Sequence, residues 1–154
     1  MSRDKKLIQY ATRSNLMDIN VTYGKEDFSF NLNEELVIDE NKINHEAQVQ
    51  ASSYAFLNML YKKLLRASKE AQKKMERKEA ELFIKYKGEK DESTGKTNAN
   101  ETARMKVLRN PAYDSLYDDF IESEHQAMVV EVCVKAFEQR VNLIQTLSAN
   151  LRKG

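Results

Sequence analysis

Along residues 62–78 the cations Lys62, Lys63, Arg66, Lys69, Lys73, Lys74, Arg77 and Lys78 crowd together. Only Glu70 and Glu76 oppose them, for a net of +6. Side chains three and four apart share a helix face. A row of ammonium and guanidinium groups on one face holds phosphates by charge, without reading sequence. Phe83 and Tyr86, beside Lys85 and Lys87, end the same stretch. Such rings either stack bases or close the core at a helix end. A reciprocal zone follows: Pro111–Val134 has no Lys or Arg and carries Asp114, Asp118, Asp119, Glu122, Glu124 and Glu131, for −6. The zoning admits two readings. If the chain folds back near residue 99, position 70 meets roughly position 128 and the zones neutralise each other, each exposed pair contributing about 0.2–1 kcal/mol. Otherwise the cations face solvent as a phosphate strip, and each phosphate held steepens the log–log salt dependence by roughly 0.7.

Other chemistry finds little footing. Gly95-Lys96-Thr97 matches the end of a phosphate-binding P-loop, but Lys90 stands where that loop needs glycine. Glu122-Ser123-Glu124-His125 has the Glu-x-x-His step of helical di-iron sites, which need two copies, and His45 lacks that spacing. Cys133 sits among valines with no basic neighbour to activate it. No nucleophile elbow occurs. The expectation is a protein that is not an enzyme and uses no cofactor or metal.

The elements that must position the strip read as helices. The chain has 154 residues, 25 Lys+Arg against 24 Asp+Glu, four Gly and one Pro. So little punctuation in so charged a chain suits long helices rather than a turn-rich sheet fold. Asp39 or Asn41 caps a helix from about Lys42, and Ile43, Ala47, Gln50, Tyr54, Leu57, Tyr61, Leu64, Ser68, Ala71, Met75, Lys78 and Leu82 keep a four–three step. Apolar packing is expected to be tight over Ile43–Leu65 and looser beyond. Gly88–Asn98 reads as a polar, mobile loop and Glu101–Leu108 as a short helix. Asn110-Pro111 starts a second long helix. Its stripe is Leu116, Phe120, Ser123, Ala127, Val130, Val134, Phe137, Val141, Ile144, Ser148 and Leu151, with Met128, Val129, Val132, Cys133, Leu143 and Leu147 as a second flank. A face so wide points to self-association through Val130, Val134, Phe137, Val141, Ile144 and Leu147. Ahead of these helices, residues 1–36 form an arm in which Leu7, Ile8, Ala11, Leu16 and Met17 suit a short helix. There Val21, Tyr23, Phe28, Phe30 and Leu32 alternate across Gly24-Lys25-Glu26-Asp27 as a β-hairpin.

The fold expected is mostly α: two long helices forming a helical hairpin or coiled coil that oligomerises, with a small N-terminal β-hairpin. Residues 1–36 make the arm, and 37–154 the oligomerisation and DNA-binding domain. A single cysteine suits a reducing compartment. No leader follows Met-Ser-Arg-Asp-Lys-Lys, and no window is apolar enough for a membrane span. Together these suggest the cytoplasm.

Val37-Ile38-Asp39, Lys42-Ile43, Glu46-Ala47 and Tyr54, then Ala71-Gln72-Lys73-Lys74, Tyr86 and Gly88, then Lys106-Val107-Leu108 and a C-terminal helix with Ala136, Arg140 and Ile144, occur in an order that resembles the UvsY recombination mediators of T-even-type phages. The resemblance runs from about Glu35 to the C-terminus. It implies a non-enzymatic ring of subunits, built through the C-terminal helix, that binds single-stranded DNA. It also implies contact with a RecA-like recombinase, which the ring helps load onto strands covered by single-stranded-DNA-binding protein. The family's basic-x-basic pair before the closing tyrosine corresponds here to Glu79–Phe83, which is not basic. The expected DNA contacts are therefore Lys69, Lys73, Lys74, Arg77, Lys78, Lys85 and Tyr86. The alternative is a structural coiled-coil adaptor with no nucleic-acid partner.

Overall fold

The computed structural model describes residues 3–154, with side chains from Leu7 onward. Met1 and Ser2, part of the stretch read for a leader, lie outside it. The elements are α1 (Arg3–Arg13), β1 (Asp18–Tyr23), β2 (Glu26–Asn31), α2 (Leu32–Glu35), α3 (Ile43–Gly88), α4 (Asn100–Arg109) and α5 (Pro111–Lys153). The chain is mostly helical, as its composition suggests. It falls into two compact units, one joining Met1–Lys63 to Gln126–Gly154, the other Leu64–His125.

In the first unit the hairpin has the alternation expected of it. Ile19 pairs with Phe30 and Val21 with Phe28, and Ile19 and Val21 are buried. On the other face each cross-strand pair is tied by side chains: Asn31 Nδ2 to Asp18 at 2.8 Å, Ser29 Oγ to Asn20 at 2.8 Å, Thr22 Oγ1 to Asp27 at 2.7 Å. Gly24 takes φ +63° while Lys25 stays negative, the pattern of a two-residue II′ turn. Two strands alone are marginal in water. These lean on helices: the Thr22 amide donates to Gln126 Oε1 (3.0 Å), and the Phe28 ring stands edge-on to Phe56 at 5.5 Å. Leu32 is not a strand residue, because Asn31 caps α2 there by accepting from the Glu34 amide.

Asp39 accepts from the Asn41 amide and starts a short 3₁₀ turn that leads into α3. Within this unit α3 buries Gln50, Leu57 and Leu60, and α5 buries Ala127, Val130, Cys133, Val134, Phe137, Arg140 and Ile144. Ala47, expected in the inner stripe, is exposed. Arg140, only 4% exposed, is met by four acceptors. Its Nε donates to Leu36 O (3.3 Å), Nη1 to Gln50 Oε1 (2.8 Å), and Nη2 to Val37 O (2.9 Å) and the Glu46 carboxylate. Gln50 Nε2 donates in turn to Phe137 O at 2.7 Å.

Cys133 is fully buried, and burial pushes its thiol up from 9.0 to about 11. The native thiol is expected to react with a disulfide reagent roughly two orders of magnitude more slowly than the same cysteine in urea, as absorbance of the released thiolate would report. The folded state holds this proton longer than the unfolded chain. The thiol's contribution to stability is therefore complete below pH 9 and lost as pH rises through about 11.

In the second unit Met75 and Leu82 of α3 are buried with Val107 of α4 and Tyr113 of α5, with Phe83, Tyr86, Leu116 and Phe120 packed against them. The second half of α3, expected to pack loosely, thus has an apolar cluster of its own. Asn110 caps α5 by accepting from the Ala112 amide at 2.9 Å.

Candidate nucleic-acid interface

The buried positions of α3 in the second unit are Leu64, Ser68, Met75 and Leu82, steps of four and seven that keep them on one side of the helix. At 3.6 residues per turn, Arg66, Lys69, Lys73 and Arg77 fall within an arc of about 80° roughly opposite that buried side. All four are exposed. They extend about 17 Å along the axis, at 1.5 Å per residue. Lys74 and Lys78 lie on one flank of the row, Lys74 exposed and Lys78 half-buried. Arg66 was not among the expected contacts. Its three-residue step to Lys69 and seven-residue step to Lys73 were the available signal.

Two members of the strip have ion-pair partners, both on α3 itself: Arg66 with Glu70 at 3.1 Å and Lys78 with Glu81 at 3.3 Å. Among the described residues Lys69, Lys73, Lys74 and Arg77 have none, and no cation of the strip pairs with Asp114, Asp118, Asp119 or Glu124. Glu131 pairs with Lys135 at 3.2 Å on its own helix. The two zones are therefore not stitched together by direct bridges among these residues.

The aromatic end of α3 is built into the fold. The Tyr86 hydroxyl accepts from Asn110 Nδ2 and its carbonyl from Asn98 Nδ2, both at 2.8 Å. Lys85 and Lys106 hold their ammonium groups 5.7 and 5.9 Å from the Tyr86 ring centroid. Lys85 is exposed, whereas Lys87 is turned back to donate to Asn98 O. Phe83 is half-buried in the Met75–Tyr113 cluster. Lys85 thus remains accessible to a phosphate, and Tyr86 has its hydroxyl and carbonyl committed within the chain.

Next to it, Gly88–Asn98 is bonded across rather than open. Lys90 and Thr97 bridge, the Asp91 amide donates to Lys96 O at 2.7 Å, and Gly95 turns at φ +67°. The Asp91 carboxylate accepts from the hydroxyl and amide of Ser93 and the amide of Thr94, which hold its pKa below 3.8. The Gly95 amide is bonded to Asp91 O, so Gly95-Lys96-Thr97 closes a turn instead of cradling a phosphate.

The structure places the six oligomerisation candidates on the inner side of the first unit. Val130, Val134, Phe137 and Ile144 are buried, and Val141 and Leu147 are half-buried. Leu151 of the first stripe is exposed; of the second flank, Met128, Val132 and Leu143 are 56%, 59% and 58% exposed. They share an arc of about 60°, interrupted by Lys135 and Gln139. No helix among the described residues is long and apolar enough to cross a membrane.

No family model, curated protein or solved structure matches the chain. What the row can do therefore rests on its own chemistry. Positive groups at every turn of one helix face attract a polyanion, and nothing in the row is shaped to read base edges.

Proposed function

We propose that this chain binds single-stranded DNA along the outward row of α3 and acts as a recombination mediator. The observation that carries the reading is the row of exposed cations opposite the buried side of the helix; among the described residues, Lys69, Lys73 and Arg77 of the row and the flanking Lys74 have no ion-pair partner. Binding releases counterions from the phosphates, so it is tight at low salt and indifferent to sequence. The Met128–Val132–Leu143 face would join subunits into a ring, setting several rows along one strand so that weak contacts add up. The preference for single strands, the ring and the partners come from the resemblance to the UvsY mediators. A ring that favours a strand conformation suited to a RecA-like recombinase, and unsuited to single-stranded-DNA-binding protein, would shift occupancy toward the recombinase by mass action.

The direct test is fluorescence anisotropy of a labelled oligothymidylate titrated with the protein between 50 and 200 mM salt. Four phosphate contacts give a log–log slope of about −3. Duplex of the same length should compete poorly. A slope near zero, or no binding at the lowest salt, would favour the structural adaptor.

A further inference from the structure

A groove between the β1–β2 hairpin and α3 lies wholly within the first unit. Tyr23, Phe28, Phe56 and Met59 line it together with Lys25 and Lys63, and it encloses about 470 Å³. We propose that this groove seats a nucleobase of the bound strand, an inference that rests on the single-stranded DNA reading above.

Three observations support it. The apolar lining is open to solvent, with Tyr23 37%, Phe56 48% and Met59 60% exposed, although large apolar groups normally gain by burial. The rings are held in place: Phe28 meets Phe56 edge-on at 62°, and Tyr23 ends a strand whose turn is set by Gly24. The charge at the rim suits a phosphate, since Lys25 and Lys63 line the groove against Glu26 alone. Lys63 Nζ already stands 5.4 Å from the Tyr23 ring centroid, and Lys62 beside it is exposed. An aromatic face with an ammonium next to it accommodates a base and the phosphate attached to it. An apolar peptide or an acyl chain would gain nothing from the lysines.

The test compares oligothymidylate with an abasic strand carrying the same number of phosphates, by anisotropy with the full chain. The unsubstituted protein should bind the base-bearing strand about tenfold more tightly. Tyr23→Ala should bring that ratio close to one, and Tyr23→Phe should retain it. Phe56→Leu removes the ring while keeping apolar bulk, and should lower the ratio even if Tyr23→Ala fails to fold. Equal binding of both strands by the unsubstituted protein, or a ratio unmoved by both ring removals, would overturn the groove assignment and leave the phosphate row standing. Binding of neither strand would overturn both. A dimer lost in Phe56→Leu with the ratio unchanged would give the groove to a second copy and overturn the nucleobase assignment.

Discussion

Replacing Lys69, Lys73, Lys74 and Arg77 together by glutamine is expected to flatten the salt dependence of single-strand binding by about 3 in log–log slope, at roughly 0.7 per phosphate contact. At 50 mM salt the affinity should fall roughly 100-fold. The fold should be nearly indifferent to the change. The four side chains are exposed, have no ion-pair partner among the described residues, and glutamine has nearly the helix propensity of lysine and arginine. Stability in urea should therefore move by no more than about 0.5 kcal/mol. That contrast gives the experiment its force, because a weaker complex cannot then be blamed on unfolding. A slope unchanged in the fourfold variant would remove the row from the DNA contact altogether.

Arg140→Ala should do the opposite, costing stability first and DNA binding only through it. The guanidinium is 4% exposed and satisfies Gln50 Oε1, the Glu46 carboxylate and the carbonyls of Leu36 and Val37. Removing it leaves a carboxylate and three further acceptors with no donor in a largely dry place. Breaking one side of such a pair costs about 3–5 kcal/mol, which a shift in the urea midpoint at constant m would show. The triple variant Glu46→Leu, Gln50→Leu, Arg140→Met should recover most of that loss, because an apolar replacement of a buried ion pair is often neutral. If Arg140→Ala costs less than about 1 kcal/mol, the network is solvated and does not hold α3, α5 and the segment that leads into α3 together.

Much of the framework was legible in the residues, for identifiable reasons. The four–three step fell on Gln50, Leu57, Leu64, Ser68, Met75 and Leu82, and these are buried, because the step is set by helix geometry alone. Asn110-Pro111 and Gly24 were legible because their backbone constraints are local. The turn at Asp91 was missed, since three local bonds to one carboxylate leave no mark in a polar stretch. Arg140 was invisible as a buried group because its partners are 90 and 94 positions away. The same distance effect applies to α5. Its strongest apolar stripe, through Val130, Val134 and Phe137, is consumed inside the chain, and the weaker flank of Met128, Val132 and Leu143 is left outside. Periodicity shows that a face must be covered, not by what. For the strip, spacing gave the row, but only the folded chain could show Lys69, Lys73, Lys74 and Arg77 without carboxylate partners among the described residues.

The first unit draws on both ends of the chain and the second on its middle, which has a consequence for synthesis. On the ribosome, Glu46 and Gln50 are made long before residue 140, so their side chains must wait in water for the guanidinium to emerge. Leu64–His125 needs nothing translated after it and can close first. The hairpin's bond from the Thr22 amide to Gln126 has to span that finished middle segment. A nascent chain held so that residue 125 has just left the exit tunnel would therefore display a completed central unit and an arm still lacking its other half.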